Sequence, residues 1–138
     1  MVVLRMEKKA PMAKTFMEMV GDAQTQVSGV HASEVPETAL VIDVRDRTDI
    51  AATGIVPGAL AISLGTLGFK GDVTMPEEMQ HPELGDHDRE IVVTCTIGAM
   101  AALGAKTLQD LGYTNVTYMD GGTLAWKEAG LEVDAFTA

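Results

Sequence analysis

The chain has 138 residues, with 20 acidic against 10 basic side chains and a formal net charge of −10. Its length suits one domain, able to bury roughly two-thirds of its unfolded surface without a disulfide or metal. Such an acidic surface repels nucleic-acid backbones and anionic lipid, and no apolar run approaches the roughly 18 residues that span a bilayer, so neither is an expected partner.

Hydrophobic residues make up 46% and charged residues 22%, the balance of a folded soluble protein. The first stretch, MVVLRMEKKAPMAK, has no continuous apolar core after its charges and does not read as a secretory signal. A reducing cytoplasmic location is the default expectation. Residues 1–27 are read as an N-terminal arm and 28–138 as the main domain. In the arm, Pro11 opens a helix from Met12 to about Asp22 with Phe16, Met19 and Val20 on one face. That face either covers the core, as most amphipathic helices do, or docks on a second subunit to give a homodimer.

Val30 ends a short edge strand, and Ser33 is placed to cap a short helix. LVIDV (40–44) is a strand buried on both faces, as in a parallel sheet. RDRTDIAATG is a polar helix stopped by Gly54, and a Pro-Gly turn then leads to a strand from about Ala59 to Ile62. Residues 65–89, with four glycines and two prolines, read as a long loop with one helical turn at Pro76–Gln80. IVVTC (91–95) is the next buried strand, and AALGAKTLQDLG is a helix ended by Gly112. NVTYM (115–119) is a strand, and DGGTLAWKEAG a turn and helix stopped by Gly130. Strands alternating with helices predict an α/β fold with a mainly parallel sheet.

The single cysteine, Cys95, excludes an intramolecular disulfide and a cysteine zinc cluster. It stands at a strand end, before a glycine-containing turn and a helix. In a parallel sheet ligands bind at the carboxyl ends of strands, and turn amides there stabilise an anion without basic side chains. A thiolate in that position is a resting nucleophile. The competing reading is a small apolar core residue.

Five segments together resemble the single-domain rhodaneses. They are VIDVRD (41–46), VPGALAISL (56–64), IVVTCTIGAMA (91–101), LQDLGYTNVTYMDGG (108–122) and AWKEAG (125–130). The resemblance implies an α/β, rhodanese-like fold with about five mainly parallel strands and helices on both faces. It implies that Cys95 is the nucleophile and carries sulfane sulfur as a persulfide. The backbone of Thr96, Ile97, Gly98, Ala99 and Met100 would then form an anion cradle. It implies a small sulfur donor and a thiol acceptor, free or protein-bound, and no cofactor.

Two departures matter. Relatives commonly place an arginine where Met100 stands, and a His or Arg where Ile55 stands. Losing a charge-assisted contact costs roughly 1.5–3 kcal/mol, so an anionic donor such as thiosulfate should suffer more than a persulfide or polysulfide. Phosphatases of this fold clamp phosphate with an arginine ending a longer loop, and Ala101 stands where it would be needed.

Other residues have plainer readings. Asp43 and Arg45 form a structural ion pair or border the site. His81, Asp86, His87 and Asp88 match no tight metal motif and read as a solvated loop. Trp126 is a core anchor, and Gly121 and Gly122 make the turn that opens the last helix. Two functions remain open: a sulfurtransferase, favoured by the cysteine and its backbone cradle, and a catalytically weak or inactive regulatory module, favoured by the uncharged loop.

Overall fold

A computed structural model describes residues 8–138. Five strands form one sheet in the order β1-β5-β4-β2-β3: β1 Ser28–His31, β2 Leu40–Asp43, β3 Leu60–Ala61, β4 Ile91–Thr94 and β5 Val116–Asp120. Every pairing is parallel, with Ile42 opposite both Val93 and Leu60, and Val93 opposite Tyr118. β2 and β4 lie at the centre with all residues buried, as their β-branched-rich sequences LVID and IVVT favour.

Alternation along the strands divides two cores. Ile42, Val44, Val93 and Cys95 pack against α4 (Ala99–Asp110), α3 (Leu64–Gly71) and α1 (Phe16–Gln24) through Ala101, Ala105, Leu108, Leu67 and Val20. Val41, Val92 and Met119 pack on the opposite face with Ala125 and Trp126 of α5 (Gly122–Glu128). α2 (Arg47–Thr53) follows β2, and Gly54 ends it at φ 92. The α/β, helix-covered parallel sheet expected from the sequence is the observed fold.

Local signals differ from the sequence reading in three places. α1 starts not at Pro11 but at Phe16, behind Thr15. The Thr15 hydroxyl accepts from the Glu18 amide and the Glu18 carboxylate accepts from the Thr15 amide, a reciprocal cap stronger than a helix-opening proline. Val20 is buried while Phe16 and Met19 stay half exposed. At the short turn Ala32–Glu34 the cap is His31, whose Nδ1 accepts from the Ser33 amide, rather than Ser33. The expected loop after residue 64 begins with a two-turn helix, α3. Among its glycines, Gly71 is a contact point rather than a breaker, since an added Cβ would lie 3.2 Å from Leu108.

After α5 the chain doubles back beside α2. Ile55 and Asp134 exchange backbone hydrogen bonds of 2.9 and 2.7 Å, Trp126 Nε1 donates to the Glu132 carbonyl, and the Arg47 guanidinium lies 4.7 Å from the Phe136 ring centre.

Candidate active site around Cys95

Cys95 follows β4 directly, so its position is set by the central strand of the sheet. Side-chain alternation turns its sulfur toward α4 and the neighbouring Thr94 toward α5. Sγ accepts hydrogen bonds from the backbone amides of Gly98, at 3.1 Å, and Ala101, at 3.3 Å. α4 has Gly98 as its N-cap and no side-chain cap. The sulfur therefore takes the place of the Ser or Asp oxygen that normally accepts from a first-turn amide. The positive end of a three-turn helix adds to the field at that atom. Gly98 has φ 100, where an L-residue is strained, and an added Cβ would lie 3.1 Å from the Met119 carbonyl.

The other side of the loop is anchored to α5. The Thr123 amide donates to the Cys95 carbonyl at 2.8 Å and the Leu124 amide to the Thr96 carbonyl at 3.0 Å. The Thr94 hydroxyl donates to the Cys95 carbonyl at 3.2 Å and lies 3.3 Å from the Thr123 hydroxyl. Thr94 and Thr123 are both buried, so these contacts are dry. Gly122 packs so closely on the loop that a Cβ would lie 2.5 Å from the Thr96 carbonyl oxygen.

Of the five residues expected to form the cradle, Gly98 alone bonds to Sγ; the second donor is Ala101, one position beyond them. Thr96 and Ile97 form an exposed tip, Ile97 being 61% accessible, while Ala99 and Met100 pack against the core that contains Cys95. Cys95 itself is 2% exposed.

Among the described residues, the hydrogen bonds to Sγ come from backbone amides and none from a guanidinium. Arg45 is buried against Asp43, its Nε lying 3.0 Å from Oδ1 and its Nη2 2.8 Å from Oδ2. Its remaining donors go to the Thr53 hydroxyl and the Gly54 carbonyl. Lys127 donates to the Thr53 carbonyl. Ile55 is buried beside the returning C-terminal segment. The His81–Asp88 residues make separate local contacts: His81 Nδ1 accepts from the Glu83 amide, Asp86 from the Asp88 amide, and His87 meets Tyr113 edge-on. Among the described residues no helix is long and apolar enough to cross a membrane.

Fold and site define an α/β protein whose parallel sheet presents a backbone-lined cysteine loop at the ends of its strands. The chain belongs to the rhodanese-like domain family, whose model matches residues 25–129. A sulfurtransferase of Allochromatium vinosum is 29% identical over 99 residues, 72% of this chain and 81% of that protein. The 3-mercaptopyruvate sulfurtransferase of Escherichia coli is 29% identical over 126 residues, and this chain covers only 44% of its length. Among solved structures, a protein of unknown function from Rhodopseudomonas palustris, described as a possible tyrosine phosphatase, superposes with a TM-score of 0.82. The two share 26% identity, over 91% of this chain and 98% of that one. The polysulfide-sulfur transferase homodimer of Wolinella succinogenes gives a TM-score of 0.63 at 25% identity, over 86% of each chain.

Proposed function

We propose that the chain is a sulfurtransferase that carries sulfane sulfur as a persulfide on Cys95. The observation that carries this reading is the pair of amides, from Gly98 and Ala101, aimed at Sγ from the start of α4. Amides so placed stabilise negative charge on sulfur and need no rearrangement when it develops. The deprotonated sulfur attacks the sulfane sulfur of a persulfide, R–S–S⁻. A new S–S bond forms to Cys95, the donor's S–S bond breaks, and R–S⁻ leaves with the electron pair. An acceptor thiolate then attacks the outer sulfur, receives it, and releases the Cys95 thiolate. The site's chemistry suits a reducing compartment, where the thiol stays free.

The donor class follows from the loop's uncharged surface. Met100 supplies no cation, Arg45 is paired with Asp43, and the Lys127 ammonium donates to the Thr53 carbonyl. Persulfides and polysulfide are therefore preferred over thiosulfate, whose sulfonate gains most from an arginine. The absence of a loop arginine, with Ala101 at the critical position, speaks equally against phosphate-ester cleavage. The near-complete burial of Cys95 favours one second reading: a rhodanese-like module that binds a partner and no longer turns over.

Intact mass after incubation with polysulfide, and separately with thiosulfate, decides between them. One added sulfur atom, absent in Cys95→Ser, is the expected result with polysulfide. No uptake from either donor overturns the enzyme reading in favour of the module.

A further inference from the structure

We infer that the first turn of α5, centred on Thr123, is the positioning element that turns the Thr96 and Ile97 amides toward the sulfur side of the loop. This rests on the sulfurtransferase reading and assigns a role to residues outside the loop itself.

The peptides of the described chain are all trans, so each N–H points opposite to the C=O of the same peptide unit. The Cys95 carbonyl is drawn toward α5 by the Thr123 amide and the Thr94 hydroxyl. The other end of that unit, the Thr96 N–H, is thereby directed away from α5. The Thr96 carbonyl is held in the same way by the Leu124 amide, which directs the Ile97 N–H away too. Away from α5 is the α4 side, where Sγ lies with Gly98 and Ala101. Neither the Thr96 nor the Ile97 amide has a hydrogen-bond acceptor among the described residues. Two oriented, unengaged donors next to a sulfur that already accepts two bonds are places for charge that the resting thiol does not yet carry. The outer sulfur of a persulfide is such a charge.

Thr123 contributes twice. Its amide holds the Cys95 carbonyl directly, and its hydroxyl lies 3.3 Å from that of Thr94; donating there, it leaves the Thr94 proton for the same carbonyl, 3.2 Å away. A carbonyl accepting two bonds polarises its peptide and makes the attached N–H a stronger donor. Gly122 permits this approach, since any side chain there would occupy the space of the Thr96 carbonyl.

Thr123→Val keeps the amide and the shape but removes the hydroxyl; Thr123→Ser restores it. Persulfide formation from polysulfide, followed by stopped-flow or quenched mass spectrometry, should slow by about three- to tenfold in Thr123→Val, the effect of one hydrogen bond. In Thr123→Ser it should recover to within about twofold. Amide NMR of the reduced proteins gives a readout independent of turnover. The Thr96 proton should move upfield in Thr123→Val and return in Thr123→Ser, with Gly98 and Ala101 unmoved. Equal rates and unmoved Thr96 resonances in a folded Thr123→Val protein overturn the inference. If wild-type protein takes up no sulfur while the Thr96 resonance still moves, the positioning stands and the sulfurtransferase reading falls.

Discussion

A Cβ on Gly122 would lie 2.5 Å from the carbonyl oxygen of Thr96, closer than any side-chain carbon can approach. Gly122 also has φ 63, in the left-handed region. Gly122→Ala should therefore cost about 2–4 kcal/mol, combining left-handed strain with overpacking. It should also abolish sulfur uptake, because relief requires α5 to withdraw from the loop. Urea unfolding and intact mass with polysulfide read the two effects. Full uptake by a stably folded Gly122→Ala protein would show that the loop does not need this contact.

Asp43 and Arg45 form the buried ion pair of the sheet's central edge. Removing one partner leaves the other charge without water or counterion. Asp43→Ala should lower stability by about 3–5 kcal/mol, and pairing Asp43→Leu with Arg45→Met should recover a large part of it. Chemical denaturation of the single and double variants measures this. A mild single-variant loss, under about 1 kcal/mol, would mean that water reaches the pair.

The uncharged rim of the loop can be given the cation it lacks. Met100→Arg should raise the rate with thiosulfate by about ten- to a hundredfold, the value of one charge-assisted contact to the sulfonate, with a smaller change for polysulfide. Steady-state sulfur transfer to a thiol or cyanide acceptor provides the comparison. Identical donor ratios before and after the substitution would remove electrostatics as the source of donor preference.

Tyr113 links α4 to α3: it is 2% exposed and its hydroxyl donates to the Gly71 carbonyl at 2.8 Å. Burial pushes its phenol above the usual value of 10.0; the Gly85 backbone opposes this and the Asp72 charge adds to it. The folded state thus retains the proton longer than the unfolded chain does. This contribution to stability is complete below about pH 10 and is lost as pH rises through the folded-state value. Tyr113→Phe should be less stable at pH 7 by about 0.5–1.5 kcal/mol, and the gap should narrow above about pH 10. Urea midpoints from pH 7 to 11 test the sign; a constant gap would mean that the phenol does not titrate differently in the two states.

The sheet was legible because its central strands, LVID and IVVT, are rich in β-branched residues, and such runs have few other places to go. The cysteine's position was legible from the glycine and helix that follow it. Three features were hidden, each because its meaning depends on distant partners. Gly71 of α3 looks like a breaker until Leu108 of α4 stands against it. Gly122 looked like a turn residue, since nothing local says that the Cys95 loop will lie on top of it. Ala101 stands out in the sequence only as the place of an absent arginine, while its contribution is its amide, which every residue but proline supplies. The capping pair Thr15 and Glu18 is different: its T-x-x-E spacing was readable and outweighed the proline.

The exchange of backbone bonds between Ile55 and Asp134 stitches the end of α2 to a segment that follows every strand of the sheet in the chain. Until that segment emerges from the ribosome, the end of α2 has no partner for its following strand segment, and Gly54 lacks the Val133 side chain that fills the space beside it. A nascent chain can thus assemble its sheet early yet finish the wall beside Arg45 only once the segment after α5 has emerged.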